Sequence, residues 1–171
     1  QTNTRAFRRV QAHLQVRVTD DADNSVATGS SGELLVRAQG DNPRQGFFSG
    51  YLHDEEATEQ SWRGGWFHTG DVVYQDPTGM LFFVDRKKDM VISGGFNIYP
   101  SDLEAELEQH PEIAEAAVVG VPSRAWGETP VGYVVLRPNA RITKEALLTW
   151  VNGRLGKTQR LADLLLIADL P

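Results

Sequence analysis

The 171-residue sequence predicts an α+β fold in two parts: a small β-rich subdomain, then a compact α+β domain with helices packed on a mixed sheet. Three observations predict it. Up to about residue 85 the apolar residues fall in short alternating runs broken by Gly, Pro, Asp and Asn, the pattern of strands and turns. Beyond residue 100 two stretches place apolar residues three or four apart, the spacing of amphipathic helices. Between them lies a five-residue charged run, Asp85-Arg86-Lys87-Lys88-Asp89, where the texture changes. The boundary is therefore drawn between residues 85 and 86, giving parts 1–85 and 86–171.

Residues 13–18 alternate polar and apolar and read as a strand; residues 20–24 are a turn-rich break. Residues 32–37 (Gly-Glu-Leu-Leu-Val-Arg) form a second strand, and residues 40–50 a loop with Pro43 and two phenylalanines. Asp54 opens a short helix over 54–60. Residues 62–71 are rich in Gly and aromatics. Residues 72–74 and 80–84 flank Gln75-Asp76-Pro77-Thr78-Gly79, a hairpin signal.

In the second part, residues 90–92 are a short apolar strand followed by the flexible turn Ser93-Gly94-Gly95. Ser101-Asp102-Leu103-Glu104 has the form of a capping box and opens a helix carrying Leu103 and Leu107, which ends near His110-Pro111. Residues 113–121 and 131–137 read as strands. Thr143 caps a second helix with Leu147, Val151 and Leu155 on one face, and residues 164–168 are a last strand. The order strand, helix, strand, strand, helix, strand places the helices on one face of a sheet.

Composition narrows the function classes. The net charge of -6 and the lack of a basic run interleaved with aromatics argue against a nucleic-acid groove. No stretch of about 18 apolar residues is present, so no membrane span is expected. The absence of cysteine excludes disulfides, thiolate zinc sites and a cysteine nucleophile, and fits a cytoplasmic location. His68 and His110 lack ligand-like neighbours, so both are read as structural and no metal site is assigned. The sequence starts Gln1-Thr2-Asn3-Thr4, without Met, which suggests that it begins inside a longer protein.

Two segments carry chemistry. In Trp66-Phe67-His68-Thr69-Gly70-Asp71, a carboxylate on a tight Gly turn suits the two hydroxyls of a ribose, although Gly70-Asp71 also reads as a plain turn. The run Asp85 to Asp89, ahead of Ser93-Gly94-Gly95, suits a hinge, with Arg86 offering donors to sugar or phosphate oxygens. A solvated strand edge is the alternative.

Taken together and in order, several segments closely resemble the adenylate-forming superfamily, and most of all its acyl-CoA synthetases for fatty or aryl acids. They are Gly32 to Arg37, Gly50-Tyr51, Trp66 to Asp71, Val84 to Pro100, and His110-Pro111 through Val119-Gly120-Val121-Pro122. The resemblance covers essentially the whole chain. It implies that residues 1–85 are the β-rich end of a large N-terminal adenylation domain and that residues 86–171 are the mobile C-terminal domain. It further implies an ATP-dependent ligase that forms an acyl-adenylate from a carboxylic acid and then a thioester with CoA. Asp71 and Arg86 would bind the ribose of ATP or AMP, and Lys88 would be the hinge. Ser93, Gly94 and Gly95 would line the pantetheine tunnel. Trp126 stands where some members stack the CoA adenine, but also reads as an aromatic covering the core.

The same resemblance places the adenylating lysine beyond Pro171 and Mg²⁺ mainly in the N-terminal part. No catalytic residue is then assigned here, and the chain alone is expected to be inactive. Lys157, in Gly156-Lys157-Thr158, is not that lysine, because it precedes the last strand; Lys157 or Arg160 remains a candidate for a CoA phosphate. Competing readings are a non-catalytic nucleotide- or CoA-binding module, a peptide-synthetase adenylation domain and a luciferase-like oxidase. The acid is not legible, and the oligomeric state, including a homodimer, is left open.

Overall fold

The computed structural model describes residues 10–170. The chain divides into two compact units between Lys88 and Asp89.

The first unit is a four-stranded antiparallel sheet in the order β1-β2-β3-β4. Its strands are β1 (Leu14–Thr19), β2 (Ser31–Ala38), β3 (Phe67–Gln75) and β4 (Leu81–Arg86). Alternation along β2 sends Leu34 to one face, where it meets Val73 and Leu81 in a core flanked by Val16, Val18 and Val36. The helix expected near residue 54 is α1 (Glu55–Ser61); Asp54 Oδ1 accepts from the amide of Ala57 at 2.9 Å, as an N-cap should. Phe47, Phe48 and Trp62, from the segment between β2 and β3, pack with Phe67 of β3 with ring centroids 5.1–5.9 Å apart.

The second unit holds a five-stranded sheet: β5 (Val91–Ser93), β6 (Phe96–Ile98), β7 (Ile113–Ser123), β8 (Gly127–Leu136) and β9 (Asp163–Ile167). β8 pairs antiparallel with β5 and β7 and parallel with β9, so the sheet is mixed. Helices α2 (Pro100–Leu107) and α3 (Lys144–Asn152) place Leu103, Leu107, Leu147 and Val151 in one core with Val91, Ile98, Ile113, Val118, Val134 and Leu164. Burying a side chain of this size stabilises by about 1.5–3 kcal/mol. Thr143 caps α3 as expected, accepting from the amide of Ala146.

Three expectations are corrected. First, α2 begins at Pro100, with Tyr99 at the N-cap and no side-chain cap bond from it, so Ser101 lies inside the helix and is not its N-cap. Pro100 takes the first helical position, where its fixed φ suits the helix and its missing N–H costs nothing. Glu104 instead reaches β7, accepting from the amide of Val118 at 2.9 Å. Second, residues 96–98 form a strand that the pattern did not reveal, returning antiparallel on β5. Third, Gly70-Asp71 is not a turn between strands: β3 runs through it without ending.

Candidate functional site

The candidate residues fall into two groups, one in each unit. The first is built on an irregularity in β3. Glu33 pairs with Val72 and Leu35 pairs with His68, so three residues of β3 (Thr69, Gly70, Asp71) stand opposite Leu34 alone. Such a bulge bends the strand and re-aims its side chains. Gly70 supplies the left-handed backbone that this needs, with φ at 72°. The bulge is held internally: Thr69 Oγ1 donates to the carbonyl of Leu34 at 2.8 Å and accepts from the amide of Asp71 at 3.0 Å.

Asp71 pairs across the sheet with Arg86, the last residue of β4. Their side chains meet, with Arg86 Nη1 2.6 Å from Asp71 Oδ1, and the same nitrogen donates to the carbonyl of Thr69 at 3.2 Å. Arg86 and Lys88 are solvent-exposed. Beside the pair lies an open depression of about 470 Å³ lined by Thr69, Gly70, Arg86, Lys87 and Lys88. A carboxylate offers about four lone-pair directions. One contact with Arg86 therefore leaves Asp71 able to accept from a vicinal diol, while Arg86 fixes its direction. Lys88 sits in the single 3-10 turn Lys87–Asp89 that follows β4.

Sequence reasoning missed the group beneath this site. Glu33 is only 5% exposed, yet it is charged. Its Oε2 accepts from Lys87 Nζ at 2.9 Å; its Oε1 accepts from the amide of Gly70 at 3.3 Å and lies 3.4 Å from His68 Nδ1. Burial opposes ionisation of Glu33, but the hydrogen bond and charge of Lys87, aided by His68, overcome it and hold the carboxyl below its ordinary range. Burial likewise opposes the Lys87 ammonium, and its bonds to Glu33 and to Asp21, also at 2.9 Å, keep its pKa raised. The available signal was the glutamate in Gly32-Glu33-Leu34-Leu35-Val36-Arg37, which strand alternation puts on the face opposite Leu34.

The second group surrounds the turn between β5 and β6. Ser93 pairs with Gly127, and the amide of Gly94 donates to the carbonyl of Trp126 at 2.8 Å. Trp126 lies directly over Gly94: a Cβ added there would stand 2.8 Å from Trp126 Cε3. Both Gly94 and Gly95 have positive φ, and Trp126 is 60% exposed. Ser93, Gly94, Gly95 and Trp126 thus come together as a glycine-paved surface edged by a free indole. Lys157 and Arg160 are exposed on the loop between α3 and β9.

Of the two histidines read as structural, His110 packs edge-on against Trp150 at 4.8 Å and accepts from the amide of Glu112 through Nδ1. His68 is buried beside Glu33. Among the described residues no helix is long and apolar enough to cross a membrane.

The family profile described as "AMP-binding enzyme C-terminal domain" matches residues 102–171. The chain is 40% identical to a 2-succinylbenzoate–CoA ligase of Geobacillus kaustophilus, over 85% of this chain and 28% of that protein. It is also 40% identical to a long-chain-fatty-acid–CoA ligase of Escherichia coli O157:H7, over 82% and 24%. Among solved structures, ATP-bound MatB from Rhodopseudomonas palustris superposes with a TM-score of 0.85 at 32% identity, covering 98% of this chain and 32% of that one. The chain therefore spans roughly a quarter of the length of these curated relatives.

Proposed function

We propose, because this chain belongs to the adenylate-forming superfamily, that it is part of an acid–CoA ligase and carries that enzyme's ribose-binding pair, its hinge and one wall of its thiol channel. The observation that carries this reading is the Asp71–Arg86 pair, 2.6 Å apart, with Arg86 lining the depression together with Lys88. Asp71 accepts from the two ribose hydroxyls of ATP or AMP, and Arg86 fixes the carboxylate and adds a donor of its own.

Lys88, exposed between β4 and β5, is the residue whose backbone turns when the second unit changes pose. Hinged alternation answers a chemical conflict. Adenylation needs charge-stabilising groups around the phosphates, whereas thioester formation needs a path for the thiol to the acyl carbon. Ser93, Gly94 and Gly95 offer that path a surface without bulky side chains, and Trp126 gives the CoA adenine a face to stack on. A carboxylic acid, CoA and ATP are thus the proposed substrates, and the isolated chain is proposed to be inactive.

Titration of the chain with AMP, followed by calorimetry or NMR shifts, tests the reading. Wild-type protein is expected to bind and Asp71→Asn to lose binding. Equal binding by both proteins, or none by wild type, would refute the assignment. Acid-dependent AMP release by the isolated chain would refute its inactivity.

A further inference from the structure

Glu33 presents a problem that neither the fold nor the ribose-binding reading accounts for. A carboxylate 5% exposed costs several kcal/mol to desolvate and is stable only when well paired. An apolar residue there would avoid that cost. What Glu33 does instead is join two segments far apart in sequence. Through Oε1 it holds the amide of Gly70, the left-handed residue on which the bulge turns. Through Oε2 it holds the ammonium of Lys87, the residue between Arg86 and Lys88. Arg63 Nη2 approaches the same Oε2 at 3.8 Å, and Asp21 holds Lys87 from the solvent side.

We propose that Glu33 is a positioning residue for nucleotide: it locks the Gly70 bulge and the Lys87 end of β4 to one point, and so sets the geometry in which Asp71 and Arg86 meet the ribose. The proposal rests on the ribose-binding reading above. Glu33 itself does not touch the nucleotide; it acts through the next residue on each side, Asp71 after Gly70 and Arg86 before Lys87. Its buried charge selects lysine at 87, and the bond to the Gly70 amide keeps the bulge from relaxing into a regular ladder that would turn Asp71 away.

A sheet staple with no part in binding would change stability alone, so the test separates the two. Glu33→Gln keeps the shape but loses the charge, and Lys87→Met removes the other end of the same contact. Asp21→Asn, which removes only the exposed partner of Lys87, serves as control. Amide hydrogen exchange and AMP titration are measured on the full chain for all four proteins. Both Glu33→Gln and Lys87→Met are expected to speed exchange of the Gly70 amide by about tenfold, with the Val134 amide in the second unit unchanged. Each should also weaken AMP binding by at least about tenfold, the effect of losing one hydrogen bond to a charged group. Asp21→Asn should do neither. Unchanged Gly70 exchange, or undiminished AMP affinity in Glu33→Gln where Asp71→Asn abolishes it, overturns the positioning role and leaves the ribose reading standing. Failure of the wild-type chain to bind AMP overturns both.

Discussion

Replacing Gly94 with alanine perturbs the contact between the β5–β6 turn and Trp126. The added Cβ would lie 2.8 Å from Cε3 and 3.3 Å from Cζ3 of the indole. Ordinary carbon contacts begin near 3.5 Å, so the ring must retreat by roughly 0.7 Å. Trp126 is 60% exposed and has room to move, which limits the penalty to lost contact and an off-rotamer side chain, about 1 kcal/mol. The backbone adds a similar amount, because φ at Gly94 is 57° and alanine in that region costs about 1 kcal/mol. Gly94→Ala should therefore destabilise the second unit by about 2 kcal/mol. Gly95→Ala isolates the backbone part: φ is 82° and nothing lies within 4 Å of its added Cβ, so about 1 kcal/mol is expected. Native-state exchange of the Val134 amide, in the core of that unit, reads its stability without assuming that the two units unfold together. The expected accelerations are about thirtyfold for Gly94→Ala and about fivefold for Gly95→Ala. Equal acceleration would mean that the indole does not rest on Gly94, and the stacking surface assigned to Trp126 would go with it.

Two further outcomes follow from contacts elsewhere. Glu104→Ala removes the acceptor of the Val118 amide and should cost about 1–3 kcal/mol in chemical denaturation of the second unit, whereas Glu104→Gln keeps an acceptor and should cost under about 1 kcal/mol; equal losses would show that the tie between α2 and β7 contributes nothing. Glu33 titrates below its ordinary value near 4.5 when folded, so the unfolded chain takes up its proton first on acidification. The stability Glu33 confers is complete above that value and is lost as the pH falls through the lower, folded one. Thermal melts of wild type should therefore fall more steeply from pH 6 to pH 3 than those of Glu33→Gln, and parallel profiles would contradict the pairing with Lys87.

Local signals located most of the fold. Asp54 and Thr143 cap the helices they precede, each side-chain oxygen accepting from the amide three residues on. The errors came where a distant partner outbid a local one. Glu104 looked like half of a capping box, but it accepts from the Val118 amide of β7, and Pro100 starts the helix two residues sooner than a Ser101 cap would. β6 is three residues long with Phe96 and Asn97 exposed, too short to show a period. The Asp71–Arg86 pair was half-legible. Counting back from the hairpin sets Gln75 against Leu81 and Val73 against Phe83, and a regular ladder would then place Asp71 opposite Asp85. A register shift between Val72 and Val73 moves its partner to Arg86, and no residue pattern announces that shift. Glu33 was hidden for another reason: a charged residue in a strand reads as solvent-facing, and only Lys87, His68 and Gly70 arriving from elsewhere make it a buried one.

The cross-strand pairing of Asp71 with Arg86 also says where this sequence can tolerate alteration. The two residues are held by the rungs between them, while the connection beyond Gln75 and Leu81 closes on itself: Asp76 Oδ1 accepts from the amides of Thr78 and Met80, and the amide of Asp76 donates to the carbonyl of Met80. Length changes at that tip leave every rung below it in place, whereas a single residue added between Leu81 and Asp85 would rotate Arg86 to the opposite face. The tip at Pro77-Thr78 is accordingly the place to splice a fluorophore or an epitope, within one hairpin of the Asp71–Arg86 pair and without displacing it.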